Sequence, residues 1–186
     1  MEKQEPGLRQ LLVMDVQRHR ELFGSQPLES KVKVWLSMFS PRFIPVLLCR
    51  LAYKSHTLGA GVLARMFSLL NFLLFGIEIA TTCKIGPGLF FPHTHGTVIG
   101  AVSIGKNAII YQGVTLGAKD LDFTYDAAHR PIVGDDVFIG AGAKILGGLT
   151  IGDNVAVAAN AVLLESAPDD VVVGGVPAKI IKYRKV

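Results

Sequence analysis

Few side chains in this sequence have types and spacings that suit catalysis. His93 stands fifteen residues after Glu78 and two before His95, and His129 lies further on beside Arg130. A histidine whose pKa is near neutral can take the proton of a hydroxyl as that hydroxyl attacks a carbonyl. A carboxylate on the other ring nitrogen fixes the tautomer and stabilises the imidazolium. Such a pair works only if the fold brings two positions fifteen residues apart to the same place.

Other kinds of site find little support. Cys49 and Cys83 lack the spacing of metal ligands and do not form a disulfide framework, so we expect free buried thiols, a reducing cytoplasm and no metal. No glycine-rich phosphate loop occurs, and we expect no nucleic-acid partner. The first ten residues are polar and charged, unlike a secretory signal, which also favours a cytoplasmic protein.

Composition and charge divide the chain into two parts. Half of the 186 residues are hydrophobic, and the mean hydropathy is +0.42. Residues 1–75 hold 10 Lys/Arg and 5 Asp/Glu, whereas residues 76–186 hold 9 and 10. We expect the excess apolar surface to be buried in an oligomer or to meet a membrane.

The first part, residues 1–76, is predicted to be helical. Residues 1–30 indicate one short helix that Pro27 ends. Apolar residues at spacings of three and four predict further helices across 31–75. The last apolar stretch is too short to span a bilayer, which needs about 20 apolar residues. We favour a helix buried in a trimer; the alternative is a basic amphipathic helix on the inner face of a membrane.

A six-residue repeat governs the second part of the chain. Three short strands of such a repeat make one triangular coil of about 18 residues, with the apolar residue pointing inward. Small residues such as Ala143 fit a second inward position, and glycines such as Gly140 suit the corners. The repeating apolar positions are Ile79, Ile85, Phe91, Val98, Ile104, Ile110, Leu116, Val133, Ile139, Ile145, Ile151, Val157 and Leu163.

We therefore predict a mainly β fold, a left-handed parallel β-helix of hexapeptide repeats with an N-terminal α-helical segment. The β-helix is expected over residues 77–168, with residues 169–186 as a C-terminal extension. The repeat fails at one place, the loop 118–131, and loops that interrupt a rigid scaffold often carry function.

Several segments of the second part resemble the serine acetyltransferases and their relatives in polysaccharide gene clusters. They are IEI at 77–79, KIGPG at 84–88, HTHGTVIG at 93–100, QGVTLG at 112–117, IGAGAKILG at 139–147 and GVPAK at 175–179. The resemblance covers residues 77–182. It implies a transferase that moves an acetyl group from acetyl-CoA to a hydroxyl.

The resemblance also implies roles for the residues named at the outset. His93 falls on the catalytic base and Glu78 on the carboxylate that pairs with it, where the serine enzymes usually have Asp. Fifteen residues is close to one coil of about 18, so both can lie near one corner. We expect His95 to face a different way. His129 and Arg130 fall near an Arg-His pair that binds the acceptor, here in reversed order; for His129 a solvent-exposed side chain is an equal alternative.

Coenzyme A is bound in this family along the groove between two prisms, beside small residues. A site shared between subunits implies a homotrimer with threefold symmetry, in which the interrupting loop closes the neighbour's site. The positions that match this pattern, followed by a lysine for the phosphates, are Gly117, Ala118, Ala141, Ala159 and Lys179.

The acceptor is where the sequence departs from the serine enzymes. They carry an Asp directly before the catalytic histidine, where this chain has Pro92, and they have a longer N-terminal helical domain. We therefore expect a sugar hydroxyl in an exopolysaccharide or capsule as the acceptor. The alternative is L-serine, and a second alternative is a non-catalytic β-helix scaffold.

Overall fold

The computed structural model describes residues 6–25, 31–122 and 124–184, so Pro27 lies outside the described residues. The N-terminal part is helical: α1 is Leu8–Leu22, α2 is Lys31–Ser37, α3 is Ile44–Thr57 and α4 is Gly61–Phe75. α4 packs along α3 and ends at Gly76, whose φ of 60° is the left-handed conformation that glycine adopts easily. No helix in the described ranges is long and apolar enough to cross a bilayer.

Short strands make up the rest of the described chain. They are β1 (Ile77–Ile79), β2 (Lys84–Ile85), β3 (Thr97–Ile99), β4 (Ser103–Ile104), β5 (Ile109–Ile110), β6 (Thr115–Gly117), β7 (Ile132–Val133), β8 (Phe138–Ile139), β9 (Lys144–Leu146), β10 (Thr150–Ile151), β11 (Ala156–Val157), β12 (Val162–Leu163), β13 (Val171–Gly175) and β14 (Ala178–Tyr183). A 3-10 turn, Ala127–His129, lies in the loop between β6 and β7.

The strands form the three faces of a prism. Face A is β1-β3-β6-β9-β12, face B is β2-β4-β7-β10, and face C is β5-β8-β11-β13-β14. The strand pairs are parallel except β13 and β14, which pair antiparallel at the C-terminal end. The chain passes from face A to B to C in each coil, so every face repeats once per coil. The predicted left-handed parallel β-helix with an N-terminal helical segment is confirmed.

Stacked aliphatic side chains fill the prism. On face A, one inward ladder has side-chain exposures between 0% and 6% and consists of Ile79, Ile99, Leu116, Ile145 and Leu163. Full burial of one such side chain contributes about 1.5–3 kcal/mol. The small inward residue Ala143 is also fully buried, as the repeat predicts.

One position of the predicted repeat is wrong. Val98 is 38% exposed, and its neighbour Ile99, at 1%, occupies the inward position. Successive side chains of a strand point to opposite faces, so an error of one residue reverses inside and outside. The inward residues Phe91 and Ile99 are eight residues apart, two more than the six of the repeat, and the turn between them carries His93.

A buried ion pair closes the N-terminal end of the prism. Asp15 of α1 is fully buried and Arg50 of α3 is 4% exposed. The Arg50 Nε and Nη2 atoms donate to the two Asp15 carboxylate oxygens at 2.9 and 3.0 Å. The same guanidinium donates to the carbonyls of Ile85 and Gly86, while Asp15 accepts from the Gly88 N–H at 2.7 Å.

The ion pair of Asp15 and Arg50 supplies hydrogen-bond partners that a preceding coil would otherwise supply. Between coils, the Gly86 N–H donates to the Ile104 carbonyl, and the Asn107 N–H donates to the Pro87 carbonyl. The first coil has no coil before it, so its Ile85 carbonyl and Gly88 amide would be left unpaired. Buried backbone groups need partners, and Arg50 and Asp15 supply them.

We expect Asp15→Ala to lower the free energy of unfolding by about 3–5 kcal/mol, because it leaves the buried Arg50 charge unpaired. Urea unfolding at one fixed protein concentration measures this. The control is Glu21→Ala on the same helix, whose carboxylate pairs with Arg18 at 3.5 Å on the surface; it should cost less than about 1 kcal/mol. Equal stability of the two variants would contradict the role of Asp15.

Candidate active site

His93 lies at the corner between faces C and A, in the long turn before β3. The Thr94 hydroxyl donates to the Phe75 carbonyl at 2.7 Å, and the Gly96 N–H donates to the Gly76 carbonyl at 2.9 Å. The turn is therefore fixed against the end of α4. The His93 side chain itself is exposed, so its ring can meet a ligand.

Two cavities meet at His93. The larger has a volume of about 540 Å³, and the start of α3 covers it. The second, of about 360 Å³, shares Arg42, Pro92 and His93 with the first. The remaining residues of the larger cavity are Pro41, Pro45, Phe75, Phe91, Thr94, His95 and Gln112. Concave sites of this size suit a small molecule.

The structure places His95 on the same cavity as His93, although the sequence led us to expect that it faces away. β3 begins only at Thr97, so His95 belongs to a turn and strand alternation does not apply. Two further cavity residues have no role in the sequence predictions, Arg42 and Gln112. Gln112 stands within the QGVTLG segment, whereas nothing near Arg42 in the sequence indicates that α3 covers this corner.

Glu78 lies on β1, with an exposed side chain, beside Val98 of β3. β1 directly follows Gly76, against which the His93 turn is fixed. Glu78 is thus in the middle of the first strand of face A, and the turn that carries His93 leads into β3, which pairs with that strand. Within the described residues, no hydrogen bond or ion pair joins their side chains.

The loop between β6 and β7 is anchored by Arg130. Its Nη2 lies 2.9 Å from the Asp122 carboxylate, and its guanidinium stacks 3.7 Å from the centre of the Tyr125 ring. Arg130 also donates to the Gly100 carbonyl at 3.3 Å, and the Tyr125 hydroxyl donates to the Ala101 carbonyl at 3.2 Å. The Arg130 side chain is only 11% exposed.

The pKa of Asp122 is lower than that of an ordinary carboxyl group. Burial raises the pKa of Asp122, but hydrogen bonds from Thr124 and Arg130 more than offset this, and the net direction of the pKa is downward. Because the pKa is lower in the folded protein, the anchor is complete above the ordinary carboxyl pKa. It is lost only as the pH falls through the lowered value.

The loop and His93 lie at different edges of face A in one subunit. The loop contacts Gly100 and Ala101, which follow β3, whereas His93 precedes β3. His129 projects from the loop, 66% exposed, with its Nδ1 3.8 Å from the Asp126 carboxylate. A single subunit therefore does not bring His129 or Arg130 to His93.

The small residues predicted to bind coenzyme A also lie at two different edges of face A. Ala141 and Ala159 stack at the corner between faces C and A, where the Asn160 N–H donates to the Ala141 carbonyl at 2.8 Å. Gly117 and Ala118 lie at the other edge of face A, at the end of β6. Lys179 of β14 is exposed and lies 3.3 Å from the Glu165 carboxylate.

The remaining reactive side chains show no sign of a second site. Cys49 and Cys83 are free and buried, as predicted. Burial raises the pKa of both thiols, to about 11 for Cys49, so they stay protonated at neutral pH. The described residues contain no group of three or more His, Cys, Asp or Glu side chains that could hold a metal ion.

Comparison with known proteins agrees with this architecture. The family model "Bacterial transferase hexapeptide (six repeats)" matches residues 130–165. With the prism, this match indicates a protein built from hexapeptide repeats. The serine acetyltransferase of Staphylococcus epidermidis is 44% identical over 133 residues, which are 71% of this chain and 61% of that enzyme. The chain thus spans less than two thirds of the length of this relative.

Solved structures give the same family. The serine acetyltransferase of Brucella abortus strain S19 has a TM-score of 0.76 and 30% identity, over 94% of this chain and 68% of that one. A serine acetyltransferase in complex with CoA has a TM-score of 0.77 and 28% identity, over 94% and 69%. The chain belongs to the serine acetyltransferase-like family of hexapeptide-repeat proteins.

Our expectation of a sugar hydroxyl in polysaccharide biosynthesis was wrong. The relatives are serine acetyltransferases, which favour the alternative acceptor, L-serine. The expectation rested on Pro92 and on an N-terminal helical part shorter than that of the serine enzymes. One changed side chain alters one contact of a site and does not define its ligand. The cavity beside His93 is also covered by α3, as suits a small molecule.

We expect Asp122→Ala to release the loop, since it removes the carboxylate that pairs with Arg130. Amide hydrogen exchange in residues 118–131 should become faster by roughly tenfold or more, because local opening controls exchange there. Asp120→Ala is the matched control, an exposed carboxylate of the same loop. Unchanged exchange in Asp122→Ala, or equal acceleration in both variants, would contradict the anchoring role.

Proposed function

We propose that this protein is an acetyl-CoA-dependent O-acetyltransferase that acetylates the hydroxyl of L-serine. Its likeness to serine acetyltransferases is the observation that carries the proposal. The exposed His93 at a small-molecule cavity supports it, because a base at such a place can act on a bound hydroxyl. The acceptor's amino-acid headgroup would occupy the same cavity.

In this proposal His93 is the general base. Its imidazole takes the proton of the serine hydroxyl as the oxygen attacks the thioester carbonyl, forming a tetrahedral intermediate. The intermediate collapses and expels the thiolate of CoA, which takes the proton from the imidazolium. A backbone amide at the corner stabilises the oxyanion.

Glu78 is the partner of His93. Its carboxylate accepts from the second ring nitrogen, fixes the tautomer and stabilises the imidazolium. Glu78 lies on β1, which pairs with the strand that follows the His93 turn, and both side chains are exposed. Catalytic hydrogen bonds are often long without substrate and shorten in the complex.

Acetyl-CoA is proposed to lie in a groove between two subunits. Gly117 and Ala118 would line it from one prism, and Ala141 and Ala159 from the next, since the two pairs lie at opposite edges of face A. Lys179 would meet the phosphates of the nucleotide end. The CoA complex of a solved relative supports the choice of this cosubstrate.

The same geometry supports a homotrimer. Exposed apolar side chains cover one side of α4, among them Val62 at 84%, Leu73 at 66% and Leu74 at 62%. Patches of this kind are typical of interfaces. In a trimer the neighbour's loop would bring His129 towards the cavity, positioned by the anchored Arg130. Such an enzyme would act in the cytoplasm, and contact of residues 31–75 with a membrane is the competing use of α4.

The catalytic proposal is tested by thiol release from acetyl-CoA. We expect release with millimolar L-serine and little with free sugars. His93→Ala should lower turnover by roughly 10²–10⁴-fold, the usual contribution of a general base. The control is His56→Ala, an exposed histidine near the end of α3. Near-normal turnover of His93→Ala with intact circular dichroism would exclude His93 as the base, and no release with L-serine would overturn the proposed function.

The trimer is tested by sedimentation equilibrium. We expect a particle three times the chain mass of 20.0 kDa. Leu73→Asp places a charge in the proposed interface and should shift the protein to smaller species, since burying an unpaired charge is costly. A monomer that sediments with anionic vesicles would instead favour the membrane as the partner of α4.

A further inference from the structure

We propose that Arg42 binds the carboxylate of the acceptor and so selects an acceptor that carries one. This inference rests on the proposed function and extends it to a specificity-determining residue. The resemblance to known enzymes gives no role to this position. The inference comes from where the helices place the Arg42 guanidinium relative to His93.

Arg42 lines both cavities beside His93, and its side chain is exposed. It stands two residues before α3, and the ion pair between Asp15 and Arg50 fixes α3 on the first coil. Its guanidinium carbon lies 5.2 Å from the centre of the Phe23 ring, a cation–π contact that restricts the side chain. Arg42 and His93 line the same two cavities.

The described residues provide no carboxylate partner for Arg42, although its guanidinium contacts the Phe23 ring. Across the described ranges, Arg42 makes no hydrogen bond or ion pair, and no Asp or Glu lines either cavity. Burial, Arg42 and Arg20 lower the pKa of His19 nearby, so His19 is uncharged at neutral pH. Arg42 therefore gives both cavities a fixed positive charge, which suits an anionic group.

The other cation predicted for the acceptor is already engaged. Arg130 is paired with Asp122, stacked on Tyr125 and only 11% exposed. A planar guanidinium matches a carboxylate with two parallel hydrogen bonds, and Arg42 has its donors available for both.

Gln112 also lines the larger cavity. The amide oxygen of Gln112 is buried and has no hydrogen-bond partner among the described residues. An unsatisfied buried acceptor is costly, and rotation of the Gln112 amide into the cavity would let its oxygen accept a hydrogen bond from the ammonium or hydroxyl of a small amino acid. Arg42 for the carboxylate and Gln112 for a donor together describe a site for a zwitterion that also bears a hydroxyl.

The test compares two acceptors that differ at one group. L-Serine carries a carboxylate, and serinol has a hydroxymethyl group in its place. In Arg42→Met we expect KM for L-serine to rise by roughly 10- to 100-fold, the loss expected for hydrogen bonds to a charged group. The kcat/KM for serinol and the KM for acetyl-CoA should stay within about twofold of the unmodified enzyme. In Arg42→Lys we expect a smaller rise of KM for L-serine, because lysine keeps the positive charge but lacks the planar guanidinium that makes two parallel hydrogen bonds.

The matched control is Arg9→Met, an exposed arginine of α1 that lines neither cavity; it should leave all three values unchanged. An unchanged KM for L-serine in Arg42→Met overturns the inference, and so does an equal loss with L-serine and serinol. If the unmodified enzyme releases no thiol with L-serine, the proposed function fails. The role of Arg42 is then tested by calorimetric titration with L-serine, because binding can be measured without turnover. Weaker binding of L-serine by Arg42→Met than by the unmodified protein supports the role. Equal binding by the two proteins, or no binding by the unmodified protein, overturns it.

Discussion

The first coil of a β-helix has an edge with no neighbouring coil, and the ion pair of Asp15 with Arg50 supplies hydrogen-bond partners for part of that edge. Each member takes the backbone groups that a preceding coil would have taken, so the helical part is joined to the prism by directional bonds. A buried ion pair costs desolvation, which only complete hydrogen bonding offsets. Here the backbone of the first coil completes it. The same docking sets the start of α3, and with it Arg42, above the His93 corner.

The candidate site lies where the repeat is irregular. A longer turn carries His93 at one edge of face A, and an anchored loop carries His129 at the other. The corners of a regular coil present mainly backbone groups and small side chains. Catalytic side chains therefore belong in the segments that interrupt the repeat. Since the two irregular segments lie at opposite edges of one subunit, a site that uses both must be assembled between subunits.

The acceptor illustrates how a sequence comparison at one position misleads. Pro92 removes one acidic contact, and from it we expected a sugar. The cavity, however, is also lined by Arg42 from the helices and Gln112 from the next coil. A ligand site sums contacts from several elements, and a change at one of them leaves the others in place.

The sequence alone determined the scaffold, because a six-residue period can place its apolar residues inside only if the chain coils in triangles. It also located the interrupting loop, and it predicts His93 and Glu78 as a catalytic pair. Tertiary structure decided which of Val98 and Ile99 points inward, since a turn's length is not encoded in the period. It decided that His95 and Arg42 face the cavity and that Arg130 is held inside its loop. These depend on helix docking and on long-range pairing, and local patterns of residues do not contain that information.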